Sequence, residues 1–315
     1  MDTTSLFKCI QDNNFISVKT KSNYISACKK ICTMCNEPDL FKIILNPKTY
    51  SKVIISSVTS EKAQKHYFTT LLSLMNYSNI KENNKPIYNE WYSQFAFVKK
   101  ELYIDFLHQK PTEAQIDAHV DWETIIANRD KMKKSNQDYI LMCLITMIPP
   151  RRQLDWFNLV IFNNPDPSWR PPSTFKQNFI NIGHSTPFMI LYNYKTAKYY
   201  GSYYKVLPQE LVAVLRKAYT QPEQYAFATS QKKLYSDIIH FSTYTNNVIK
   251  KVLDNPKASM NSLRHSYASY MERLHPHMTL FMRTNLARDM GHSLGENMGY
   301  ANLSGVNQSP FPSPS

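Results

Sequence analysis

The sequence predicts a mainly α chain with a small antiparallel β-sheet, split into a helical N-terminal part and an α+β C-terminal part. Three observations predict it. Apolar residues recur at helical spacing through residues 1–108. Strand-like runs, rich in aromatic and β-branched residues, are confined to residues 178–207. The length, 315 residues, exceeds what one hydrophobic core usually serves. The expected division is 1–110 for a helical domain, 111–306 for a second domain, and 307–315 for a disordered Ser/Pro-rich tail.

In the N-terminal part, Tyr24, Cys28, Ile31, Cys32 and Cys35 fall on one face of a helix over about 22–35. With no fourth ligand nearby, these thiols read as a buried, reduced apolar face rather than a zinc site. A short helix is expected over 48–58. Thr59 or Ser60 caps the next, with Glu61 in its first turn, where a carboxylate suits the helix dipole, and Ala63, Tyr67, Leu71 and Leu74 as its apolar face. Pro86 opens a fourth, with Ile87, Trp91, Phe95, Val98 and Leu102 at helical spacing. The sum is a small four-helix domain with Lys19, Lys21, Lys29, Lys30, Lys62 and Lys65 available to phosphates.

Residues 108–120 hold a proline and no sustained apolar face, which predicts the linker. A helix is expected over 122–131. The run DYILMCLITMI at 138–148 predicts a buried helix that stops at Pro149-Pro150; it is too short to span a membrane. Arg151, Arg152 and Asp155 follow at once. Asp155 lies one helical turn from Arg152 and is expected to hold it, either as a boundary salt bridge or so as to aim the guanidinium at a phosphate. Strands are expected over 178–182, 188–194 and 203–207, the last two flanking a polar turn with Lys195 and closed by Gly201. Helices over 209–219 and 236–252 complete the scaffold.

Lysine and arginine outnumber aspartate and glutamate by 37 to 24, a net charge of +13 spread along the chain. A folded protein with a basic surface is expected to have a polyanionic partner, nucleic acid being the commonest. A hydrophobic content of 43% argues against global disorder, and the chain has no secretion signal pattern, so an intracellular protein is expected. It has neither a Gly-rich phosphate loop of the nucleotide-binding kind nor a dense carboxylate cluster for two metals.

The chemistry-bearing residues come in a fixed order. Arg152 is followed three residues later by Asp155, and the turn lysine Lys195 by a threonine. Then come Leu263-Arg264-His265-Ser266-Tyr267-Ala268-Ser269, Gly291-His292-Ser293 and Tyr300. Over residues 138–303 this order resembles the tyrosine recombinase (phage integrase) superfamily, with the helical N-terminal half matching in kind only. The resemblance implies a core-binding-like DNA-binding domain followed by a tyrosine-recombinase catalytic domain. It implies Tyr300 as the nucleophile that leaves a 3′-phosphotyrosyl link and a free 5′-hydroxyl. Arg152 and Arg264 would bind the non-bridging oxygens, Lys195 would protonate the departing oxygen, and His292 would hydrogen-bond the phosphate. His265 and Asp155 would pack and orient.

Phosphoryl transfer rests on positioning and charge stabilisation, which two fixed guanidiniums suit. A phenol needs nearby cations to act near neutral pH. Because the covalent ester stores the bond energy, neither ATP, a cofactor nor an obligatory metal is implied. The implied partner is double-stranded DNA, bound by a dimer or tetramer, with no membrane involved. Three departures stand out. Asn261 sits where the family usually has His or Lys. His292 and Tyr300 are eight apart, one fewer than usual, which turns a helical side chain by about 100°. The stretch after Tyr300 reads as tail rather than a docking helix. A site-specific recombinase or integrase of a DNA virus or mobile element is the first expectation. A type IB topoisomerase-like enzyme, or a structural DNA-binding protein of the same fold with weakened catalysis, remains open.

Overall fold

The computed structural model describes residues 2–107, 111–134, 136–166, 168–295 and 300. The chain divides into two compact units, Met1–His108 and Gln109–Ser315. The tail expectation for 307–315 lies outside the described residues, as do the domain end at 306 and residues 108–110 of the expected linker.

The first unit holds seven described helices rather than four: α1 Thr3–Gln11, α2 Val18–Cys35, α3 Leu40–Leu45, α4 Pro47–Ser57, α5 Glu61–Tyr77, α6 Ile80–Asn83 and α7 Lys85–Leu107. The three additional ones, α1, α3 and α6, are too short to display a period. Their starts are local: Asp2 and Asp39 each accept a backbone N–H from the first turn they cap. In α2, Asn36 ends the helix in the left-handed conformation, a residue type that tolerates it. Burial pushes the Cys28 thiol up to about 12 and Cys35 up to about 11, as an apolar face requires.

The apolar face of α5 is rotated from the expected one. Leu71 and Leu74 are buried as expected, but Gln64 and Phe68 take the places assigned to Ala63 and Tyr67. Gln64 survives burial because its side-chain amide donates to the Val58 carbonyl at 2.6 Å. Trp91 of α7 is fully buried and donates its indole N–H to the Ile44 carbonyl at 2.8 Å. Of the candidate phosphate-contacting lysines, Lys19, Lys29, Lys30 and Lys62 are exposed, and Lys21 and Lys65 half-buried.

The second unit begins with α8 Glu113–Ala118, in the stretch expected to be linker. A capping box explains it: Thr112 accepts from the Gln115 N–H, and the Gln115 side chain accepts from the Thr112 N–H. Next come α9 Trp122–Asp130, α10 Gln137–Thr146 and α11 Gln153–Trp156. Every residue of α10 from Tyr139 to Thr146 is buried, so the apolar run is a helix wrapped on all sides.

Five described strands follow: β1 Val160–Phe162, β2 Phe179–Asn181, β3 Phe188–Leu191, β4 Tyr203–Val206 and β5 Glu223–Tyr225. They form one sheet in the order β4-β3-β2-β1-β5. The sheet is mixed rather than wholly antiparallel, because β1 and β2 run parallel, Val160 opposite Phe179. The link between them, residues 163–178, is the crossover that a parallel pair needs. Side chains alternate across the sheet. Ile161, Ile180, Met189 and Leu191 face the main core, while Val160, Phe162, Phe179 and Phe188 form a second cluster covered by Trp169 and Phe175 from the crossover. The remaining helices are α12 Ala197–Tyr200, α13 Gln209–Ala218, α14 Ile238–Leu253, α15 Met260–Leu274 and α16 Leu280–Asp289. Among the described residues no helix is long and apolar enough to cross a membrane.

Candidate active site

The site is built on α15. Ser259 caps the helix in a capping box with Ser262, fixing where the first turn begins. Asn261, Arg264 and His265 then share one face, at the three- and four-residue spacings that stack side chains along a helix. Tyr300 lies against that face. Its hydroxyl donates to Asn261 Oδ1 at 2.7 Å. Its ring stacks on His265, with centroids 4.1 Å apart and planes 13° apart, and His292 approaches within 4.3 Å. The Arg264 guanidinium carbon lies 5.5 Å from the centre of the same ring.

Arg264 is 1% exposed, and its three guanidinium nitrogens have no hydrogen-bond partner among the described residues. Burial, with Arg152 as a second cation nearby, pulls its pKa down to about 10. Asp155 and Tyr300 lie near enough to favour the charged form in part, and less strongly than burial opposes it.

His265 is fixed at both ring nitrogens. Nδ1 lies 3.2 Å from the Tyr300 carbonyl oxygen and Nε2 lies 3.2 Å from Gln115 Nε2. A carbonyl can only accept, so Nδ1 carries the proton and Nε2 accepts from the amide. The Gln115 amide is itself held because Thr112 occupies its oxygen. The short helix in the supposed linker therefore orients a side chain of the site.

Asp155 does not hold Arg152 as the three-residue spacing suggested. Its Oδ2 accepts from Arg151 Nε at 2.6 Å, four residues back, and both side chains are buried. Burial pushes the Asp155 carboxyl up, and Arg151 is the foremost cation pulling it back. Arg152 is half-buried and donates to the Gly291 carbonyl at 2.6 Å, next to His292.

The end of α16 brings His292 in. Gly291 N–H donates to the Arg288 carbonyl and His292 N–H to the Ala287 carbonyl, a Schellman motif with Gly291 at φ +68°. A Cβ on Gly291 would also meet Arg151 Nη2 at 3.0 Å. Gly291→Ala is therefore expected to cost about 1–2 kcal/mol, read as a lower denaturant midpoint at unchanged slope.

Arg152, Arg264, His265, His292, Asn261 and Tyr300 thus form one cluster, although residues 296–299, which close the short step to Tyr300, lie outside the described residues. Lys195 stands exposed in the turn after β3, and among the described residues it makes no hydrogen bond or ion pair with the cluster. Sequence reasoning missed Arg151, Gln115 and the trio of Asp289, Tyr203 and Lys205, in which Tyr203 donates to Asp289 at 2.7 Å and Lys205 lies 2.5 Å from it. Only Gln115 had a signal, the Thr-x-x-Gln pattern of the capping box.

No family model matches the chain, and no curated protein is found to be significantly similar to it. Among solved structures, XerA recombinase is similar with a TM-score of 0.39 and 11% identity, over 95% of this chain and 93% of that one.

Proposed function

We propose that this protein is a DNA strand-transfer enzyme of the tyrosine recombinase kind, cleaving and rejoining duplex DNA through a 3′-phosphotyrosyl intermediate. The observation that carries the reading is Arg264: a buried guanidinium without a hydrogen-bond partner among the described residues, 5.5 Å from the ring of a tyrosine whose hydroxyl is held by a neutral amide. A scissile phosphate would complete that guanidinium. The order of motifs in the sequence and the net charge of +13 support the same reading.

The Tyr300 oxygen attacks phosphorus, and the bond from phosphorus to the 5′-oxygen breaks. Arg264 and Arg152 hold the non-bridging oxygens, where charge builds up. His292 hydrogen-bonds the phosphate. Asn261 directs the phenol O–H but cannot take a proton near neutral pH, so the proton leaves to water as the new bond forms. Lys195 gives its proton to the departing 5′-oxygen once its turn reaches DNA. Religation is the reverse attack by a 5′-hydroxyl of the same or another strand. The site-specific, integrating form of the reaction, on an assembly of two or four chains, follows from the same reading, and it places the protein at DNA inside a cell.

Incubation with a nicked suicide duplex tests the proposal. A covalent adduct is expected, with the 3′ end of the cut strand linked to the peptide that contains Tyr300. No adduct on plasmid or suicide DNA, or a link to another residue, would overturn it. Relaxed plasmid without recombinants would select the topoisomerase form of the chemistry, and binding without cleavage a purely structural role.

A further inference from the structure

Arg151 has no role in the chemistry above, yet it is one of the most deeply buried charged side chains in the protein, at 1% exposure. Its contacts converge on one turn. Nη1 donates to the Asp289 carbonyl at 2.7 Å and lies 3.3 Å from the Arg288 carbonyl. These are the last two residues of α16, where carbonyls lack an intrahelical donor. The Schellman motif uses the Ala287 and Arg288 carbonyls and leaves that of Asp289, which Arg151 serves from another element. A positive charge at a helix C-terminus also suits the helix dipole.

The guanidinium is itself held at Nε, at Nη1 and on its face, while Nη2 has no hydrogen-bond partner among the described residues. Asp155 takes Nε at 2.6 Å. Tyr203 lies under its plane at 4.2 Å and Tyr194 at 5.1 Å. Gly291, without a side chain, leaves space for Nη2. The same turn is tied a second time through the Asp289 carboxylate, which receives Tyr203 and Lys205 of β4. The next residue after this doubly tied turn is His292, whose ring meets Tyr300.

We propose that Arg151 is a positioning residue for the Tyr300 centre: it caps α16 from outside the helix and so fixes the turn that delivers His292 against the Tyr300 ring. This rests on the reading of Tyr300 as nucleophile only for its kinetic consequence. The geometric consequence holds without DNA. A lysine at 151 keeps the charge but loses the planar fork that serves Asp155 and two carbonyls at once.

The test compares wild type, Arg151→Lys and Arg151→Ala by proton–carbon NMR of the imidazole groups in the full chain without DNA. The His292 signal is assigned by its loss in His292→Gln. Its shift is expected to carry a ring-current contribution that disappears in Tyr300→Leu. Arg151→Lys is expected to lose most of that contribution while the His184 and His240 signals stay in place. Methylguanidinium added to Arg151→Ala is expected to restore it. With the suicide duplex, the adduct rate of Arg151→Lys is expected to fall about 100-fold at unchanged DNA affinity, the effect of a displacement of about 1 Å at a reacting centre. An unchanged His292 signal in folded Arg151→Lys would overturn the proposal, and so would an unchanged adduct rate. If Arg151→Ala does not fold, the lysine variant alone decides. If wild type forms no adduct, strand cleavage fails as a reading, and the imidazole signal still tests the placement of His292.

Discussion

Tyr300→Phe is expected to bind DNA within about twofold of wild type and to form no covalent adduct, a loss of at least about 10⁴-fold in cleavage rate. The two halves of this expectation come from different atoms. The ring does the packing: it stacks on His265 and meets His292 and Arg264. Phenylalanine keeps all of these contacts. The hydroxyl donates to the exposed Asn261, a hydrogen bond worth about 0.5–1.5 kcal/mol. The variant should therefore melt within a few degrees of wild type while lacking the oxygen proposed to join phosphorus. An adduct that persists in Tyr300→Phe would mean that another nucleophile does the work.

Arg264→Met is expected to slow cleavage about a thousandfold and to raise the melting temperature. Charged side chains buried without partners oppose folding, and methionine fills a similar volume without the charge. The depression of the Arg264 pKa to about 10 corresponds to a penalty of about 3 kcal/mol. The sign follows from which state holds the proton more tightly. The folded pKa lies below that of a free guanidinium, so the penalty is present in full below about pH 10, and stability recovers as pH rises from there toward the free value. At neutral pH the methionine variant is thus relieved of the whole cost. A gain of about 1–4 kcal/mol would lift the melting temperature by several degrees. Thermal scans in sulfate add a control: the anion should stabilise wild type more than Arg264→Met. A variant that melts lower than wild type, with equal response to sulfate, would show that the guanidinium is structural.

How much of this was legible in the sequence depended on the range of the interaction. Elements set by neighbours were readable. Pro86 before a helical period, and an apolar run ended by Pro149-Pro150, gave α7 and α10 close to their observed bounds. Strands β1 and β5 were not readable, because each is three residues long and owes its existence to partners far along the chain. The same limit explains the arginines. Asp155 lies within one helical turn of both Arg151 and Arg152, and only the packing of Tyr194, Tyr203 and the end of α16 around Arg151 decides between them. In the site, Asn261, Arg264 and His265 were grouped through the motif order that resembles the tyrosine recombinases, and the helix that puts them on one face was not read. That Tyr300 joins them was implied by the resemblance; its hydrogen bond to Asn261 and its stacking on His265 are long-range contacts that no spacing announces.

The all-round burial of α10 has a consequence in time. A helix without a polar face has no orientation in which it tolerates water. Its earliest cover, Trp122 and Ile125 of α9, is made just before it. Its later partners, α13 and α14, are made over roughly the next hundred residues. At a ribosomal pace of about 5–20 residues per second, the nascent chain carries this greasy segment uncovered for roughly 5–20 s. The helical unit ahead of it can fold while that wait lasts. The second unit can close over α10 only once α14 has been made, and so the interval before closure, rather than the finished protein, is where it is most exposed to aggregation.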